Sequence, residues 1–193
     1  MTKQMQRVLT AIDAANAADP LHEEGQAGAM LYGQRMSSEL ERLFPEAPDL
    51  LRIAARGQHV ERWKLARADY PEGRAGYLDW RRAQAVHHAD VVGGFMSAAE
   101  YTAEDIQTVG QMLRKEGIKR DKHVQMLEDV ICFVFLKWYF APFATKHSAE
   151  KIQRIVEKTA RKMSAQARAR VLAEFDLPED LSTAFRDKGT NAI

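Results

Sequence analysis

Cysteine is almost missing from this sequence: Cys132 stands alone. One thiol excludes an intrachain disulfide framework and any multi-cysteine zinc site. It lies inside an apolar run, where a lone thiol behaves as a small buried hydrophobe and suits a reducing compartment. An excess of one charge is missing too. Lys and Arg number 28 against 27 for Asp and Glu, a net charge of +1. That excludes nucleic-acid binding driven by bulk charge and leaves room for a local basic patch. It equally excludes an acidic disordered chain. Long hydrophobic runs are absent. The greasiest stretch, VICFVFLKWYFAPFA from Val130 to Ala144, is too short to span a bilayer and is interrupted by Lys137 and Pro142. The opening MTKQMQRVLTAIDAANAADP holds no apolar stretch of signal-peptide type. The expectation is a cytoplasmic protein with no membrane partner.

Breakers are few, with 11 glycines and 6 prolines. No internal repeat or low-complexity segment is present, and no alternating pattern argues for a strand. Apolar residues recur at helical spacing instead. Residues 3–16 place Met5, Val8, Leu9 and Ile12 at that spacing. A second helix is expected over 25–43, stopping before Pro45, and a third over 49–64 with Leu50, Ile53, Ala54 and Val60 inward. A long loop follows over 65–76, holding Pro71, Gly73 and Gly76. Further helices are expected over 77–98, after the cap Thr102, over 122–140 as the core helix ending near Pro142, from Ser148 to Lys162, and from Ser164 to Phe175. The chain therefore reads as all-α, a single compact helical domain over 1–193. Residues 1–20 form its N-terminal helix and 145–193 a helical extension, whose tail KGTNAI after Asp187 reads as frayed.

Chemistry has to come from histidines, carboxylates and arginines. Of six histidines, His59 lies late on the expected third helix, beside Trp63. His87 and His88 are adjacent on the fourth, about 100° apart around the axis, so they cannot face one point. Glu128 and Asp129 open the greasiest helix, where a carboxylate is costly to bury unless it is paired or metal-bound. Imidazole and carboxylate from separate helices are common ligands of a divalent metal. Arginines crowd the first half at Arg35, Arg52, Arg56, Arg62, Arg67, Arg74, Arg81 and Arg82, interleaved with Trp63, Tyr70, Tyr77 and Trp80. Guanidinium forks recognise phosphate or carboxylate, and aromatics stack on a ring. The bland alternative is a solvated face whose arginines pair with Glu39, Glu61 or Asp69. The glycines of GQAGAMLYG lack the lysine-bearing phosphate-loop signature and read as close-packing positions. The triplet Lys162–Met163–Ser164 occurs in a loop of class I aminoacyl-tRNA synthetases. The chain lacks a Rossmann domain and the companion motif, so the triplet is read as part of an amphipathic basic helix from Lys151 to Arg170.

Several blocks together resemble the domain-of-unknown-function 4202 family: IDAANAADP, YGQRMS, AARGQHVERW, YPEGRAGYLDWR, HHA, LEDV and KTARKMS. The likeness covers about residues 10 to 165. The same stretch resembles HD domains, the helical metal-dependent phosphohydrolases. LLRIAARGQH is similar to the helix bearing their His-Asp doublet, and LEDVICFVFL to the last helix, whose Asp is a metal ligand. Carried over, the resemblance implies metal ligation by His59, by His88 or His87 on the following helix, and by Asp129, with Gln34 near the position of the first His. Gln58 stands where the doublet has His, and His59 where it has Asp, so the usual four-ligand set is incomplete.

Two functions follow as expectations. The first is a metal-dependent hydrolase of a small phosphorylated or nucleotide-like molecule. A manganese, iron, zinc or nickel ion would activate water, Glu128 or His87 would move a proton, and Arg35, Arg56, Arg62, Arg67, Arg74, Trp63 and Tyr77 would bind the substrate. A dinuclear iron oxygenase is a variant on the same scaffold. The second is a degenerate HD-like module that binds a nucleotide, a sugar phosphate or an RNA end without turnover. No organic cofactor is expected. A third reading is a partner-binding helical protein using the basic helix near Lys158.

Overall fold

A computed structural model describes residues 2–186. The tail KGTNAI lies outside the described residues. Among those described, ten α-helices and one two-residue hairpin make up the regular structure, so the chain is all-α as expected. Expected as one domain over 1–193, it packs as two compact units, Met1–Gly117 and Ile118–Ile193.

The first unit opens with α1 (Lys3–Asn16), whose Thr2 side chain accepts the Met5 N–H. A hairpin that no sequence pattern announces pairs β1 (His22–Glu23) with β2 (Gln26–Ala27). Its turn uses left-handed backbone at Glu24 and Gly25. Helices α2 (Gly28–Leu43) and α3 (Asp49–Arg56) follow. The third helix thus ends eight residues earlier than the expected Lys64. Gly57 is its C-cap, and glycine is needed there because a Cβ would sit 2.5 Å from Val92 Cγ2. Beyond it, Glu61 adopts left-handed backbone, its N–H donated to Asn16 Oδ1 at 3.1 Å. Two short 3-10 turns follow, Arg62–Lys64 at the end of the expected third helix and Arg67–Asp69 within the expected loop. Helix α4 (Gly73–Ala98) then starts four residues early. Gly76 permits this: a Cβ there would meet the Pro71 carbonyl oxygen at 1.9 Å. Helix α5 (Ala103–Arg114) carries the expected Thr102 cap as a full capping box with Asp105. Helix α4 packs on α5 and α1, and α3 on α1, α2 and α5. Val8, Ile12, Met36, Leu51, Ile53, Val92, Met96 and Leu113 are fully buried. Each such side chain contributes roughly 1.5–3 kcal/mol.

In the second unit, α6 (Lys122–Val134) runs into a π turn (Phe135–Tyr139) and then α7 (Phe140–Ala144). The helical path therefore passes Pro142 instead of ending before it. The π turn shifts the hydrogen-bond ladder and puts Pro142 in the first turn of α7, where a missing N–H costs least. Helices α8 (Ala149–Lys162), α9 (Ala165–Glu174) and α10 (Glu179–Ser182) complete the unit. Ser148 and Ser164 cap α8 and α9, so the expected basic helix from Lys151 to Arg170 is two helices. Cys132 is buried here, its thiol 3.9 Å from the Thr159 carbonyl, as expected of a structural thiol. No helix among the described residues is long and apolar enough to cross a membrane.

Candidate functional site

A cleft of about 320 Å³ opens in the first unit. One wall is a face of α4. Leu78, Arg81, Arg82, Ala85 and His88 recur at three- and four-residue intervals and so share a stripe, with Gln84 beside it. The second wall is the irregular segment after α3, with Gln58, His59 and Arg62. The third is the end of α5, with Leu113, Arg114 and Lys115. The early stop of α3 matters here. A continuous helix would not bend these residues round to face α4.

The electrostatics are one-sided. Arg62, Arg81, Arg82, Arg114 and Lys115 line the cleft, and among the described residues no carboxylate does. Nearby acids are engaged at the rim: Arg82 pairs with Asp79, and Arg114 with Glu116 at 2.7 Å. The Arg62 guanidinium lies 4.7 Å from the centroid of the Trp80 ring. Burial, and then the neighbouring Arg81, lower the pKa of Arg62 from its ordinary value.

Both histidines in the cleft are held neutral. The His59 ring stacks on Tyr32 with centroids 3.7 Å apart, and lies 6.0 Å from the His88 ring. Burial lowers its pKa well below the ordinary value, helped by Arg62, His88, Arg81 and Lys115. His88 is pushed down to about 3, chiefly by burial and secondarily by Arg62, His87 and Arg81, against a hydrogen bond to Val60. That bond sets the tautomer. A carbonyl can only accept, so His88 Nδ1–H donates to the Val60 oxygen at 2.8 Å and Nε2 carries a lone pair. Gln84 is oriented by the same logic. Its amide NH₂ donates to the carbonyls of Arg62 and Leu65 at 2.8 and 2.9 Å, which fixes Oε1 as the remaining acceptor. His88 Nε2, Gln84 Oε1 and Gln58 Oε1 are buried acceptors with no hydrogen-bond partner among the described residues.

Of the residues expected to carry chemistry, His59, His88 and Arg62 meet in this cleft. Of the adjacent pair His87 and His88, it is His88 that lines it. His87 is outside the lining, its Nε2 3.7 Å from Glu61 Oε2. Gln34 is half-buried on α2 and also outside the lining. Four of the expected substrate-binding arginines are placed elsewhere. Arg35 is buried against Glu23 and Glu24 at 2.6 and 2.8 Å. Arg56 forks onto Asp13 with two bonds of 2.7 Å. Arg67 donates to the carbonyls of Tyr70 and Pro71. Arg74 is exposed in the first turn of α4. Trp63 is half-buried outside the lining, and Tyr77 is exposed with its ring 5.9 Å from Trp80.

Glu128 and Asp129 belong to the second unit. Asp129 accepts three hydrogen bonds there: from Ser164 N–H at 2.8 Å, Ser164 Oγ at 2.7 Å and the Gln125 amide at 2.9 Å. Burial still raises its pKa above the ordinary value, although those bonds and Lys119 oppose the shift. Glu128 is buried with Lys162 Nζ at 3.3 Å. The Lys162–Met163–Ser164 triplet is therefore the junction between α8 and α9, with Ser164 as the cap that Asp129 holds. Among the described residues, no group of three or more His, Cys, Asp and Glu side chains is arranged to hold a metal ion.

Gln84, Arg114 and Lys115 carry no role expected from sequence, and Arg81 and Arg82 stand out only as members of an arginine-rich stretch. The 78–81–85–88 spacing on α4 was the available signal. Arg114 and Lys115 carried none, since their place depends on how α5 packs against α4.

The family model described as Domain of unknown function (DUF4202) matches residues 6–184. The chain belongs to this family. The match takes in both units of the DUF4202 chain, from α1 to the last described turn. No curated protein and no solved structure matches it.

Proposed function

We propose that the DUF4202 chain binds a small phosphorylated, nucleotide-like molecule in the cleft of its first unit. The observation that supports this is five cationic side chains lining a space of about 320 Å³ with no carboxylate among them. Such a space suits a mononucleotide or sugar phosphate. Guanidinium groups in a partly desolvated wall form charge-assisted, bidentate bonds to phosphate oxygens. Binding without turnover fits the histidines. An imidazole with a pKa near 3 is a weak general base at neutral pH.

The metal-dependent hydrolase on an HD-like scaffold is the second reading, and one observation favours it. An imidazole whose Nδ1–H is fixed on a backbone carbonyl, with Nε2 open, is how metal-binding histidines are commonly oriented. His88 would be one such ligand, and His59 a second. The rest of the cleft does not fit a divalent cation, because its remaining charged groups are all positive. Asp129, the expected third ligand, has its carboxylate engaged by Ser164 and Gln125.

Calorimetric titration with inorganic phosphate, mononucleotides and sugar phosphates tests the proposal. Arg81 makes no ion pair with an acid among the described residues, so Arg81→Ala removes charge without breaking an ion pair among them. We expect it to weaken binding about tenfold, as loss of a charge-assisted bond does. Absence of binding by any phosphorylated compound refutes the proposal. Elemental analysis of chelator-free protein beside Asp129→Ala addresses the second reading. Stoichiometric metal that the variant loses would replace anion binding by metal-dependent hydrolysis.

A further inference from the structure

The cleft has two chemically different parts. Its arginines and lysine ask for negative charge, whereas its three leftover buried groups ask for something else. His88 is 2% exposed, Gln84 2% and Gln58 5%; all three line the cleft, and each carries an acceptor with no hydrogen-bond partner among the described residues. A buried acceptor left unmatched is costly, and the ionised oxygens that dominate a phosphate monoester at neutral pH cannot satisfy it, because they are themselves acceptors. The orientation of two of these groups is not adjustable. Turning the Gln84 amide over would put its oxygen against the carbonyls of Arg62 and Leu65. Moving the His88 proton to Nε2 would set the Nδ1 lone pair against the Val60 carbonyl. Nor can His88 become a donor by taking up a proton, since burial among cations opposes it. The partner must therefore bring the hydrogens.

Building on the phosphate-binding reading above, we propose that the ligand is bipolar: a phosphate held by the arginines, and a second end bearing hydroxyl or amino hydrogens that His88, Gln84 and Gln58 accept. A polyol or sugar phosphate has this chemistry. An alkyl phosphate of the same length does not.

The test compares three probes by calorimetry on the full chain: a hexose phosphate, hexyl phosphate and inorganic phosphate. We expect the hexose phosphate to bind at least about tenfold tighter than the other two, the factor that one or two hydrogen bonds to buried acceptors supply. Replacing an acceptor by an apolar group of similar size, His88→Phe or Gln58→Met, should narrow the gap between hexose phosphate and hexyl phosphate. Equal affinity for all three probes in the unaltered protein overturns this inference and leaves phosphate binding standing. Failure of all three to bind overturns this inference, and the phosphate-binding reading falls with it if mononucleotides fail to bind as well. If neither variant folds, the comparison of probes on the unaltered chain still decides.

Discussion

His88 shows how one residue can link stability to pH. Its pKa is about 3 in the folded chain against 6.5 for a free imidazole. The folded state thus binds fewer protons than the unfolded state between those values. This stabilisation is fully present above pH 6.5 and is lost as pH falls towards 3. Taken over that window, it amounts to several kcal/mol. Urea denaturation at pH 7 and again near pH 4 should show this acid loss in the unaltered protein and a smaller loss in His88→Gln. A difference between the two proteins that stays constant across the window would mean that the ring is not buried neutral. At Asp129 the substituted group decides the outcome. The carboxylate anchors Ser164, which caps α9. Asp129→Ala should cost about 1–3 kcal/mol by leaving those donors unmatched. In the anion-binding reading, phosphate affinity in the cleft is unchanged by it, and titration of the folded variant checks this.

Among the elements, α4 makes the site and Gly76 makes the start of α4. A methyl group there would overlap the Pro71 carbonyl, which is backbone and cannot rotate away. Gly76→Ala should therefore destabilise the chain by about 2 kcal/mol or more, comparable to other overpacking changes. It should also fray the first turn of α4, as hydrogen exchange at Ala75–Leu78 would report. The Gly57 stop has a parallel effect on the other wall. It ends α3 and releases Gln58, His59 and Arg62 into a turn that faces α4. The helical periodicity of 49–64 was legible in the sequence, but the stop was not. Nor was the close approach of Val92 that calls for glycine at the cap, since it joins residues far apart in the chain.

For the molecule as a whole, net charge and local charge tell different stories. The chain is nearly neutral at +1, yet five cations gather in one cleft. Ligand affinity should therefore fall several-fold as salt rises from about 50 to about 500 mM, because part of the attraction is screened. Bulk polyanions such as heparin should be retained weakly, since long-range attraction scales with the overall field and not with one cleft. Calorimetry across the salt series and a heparin column check the two halves of this expectation. An affinity independent of salt would argue that the cations are committed to internal partners.

The all-α class, most helix positions and the capping box at Thr102 could be read from local patterns, because the hydrogen bonds and the apolar stripe of a helix join residues three and four apart. The family was legible too, from blocks spread along the chain. Local pattern could not tell which of many arginines are structural. Arg35 and Arg56 looked as free as Arg81 until Glu23, Glu24 and Asp13 were brought against them. Nor could it separate His87 from His88, or show that Asp129 holds a helix cap. Those assignments turn on burial and on partners distant in sequence. Burial strips water from a group and decides what it must pair with, and only the packed chain sets both.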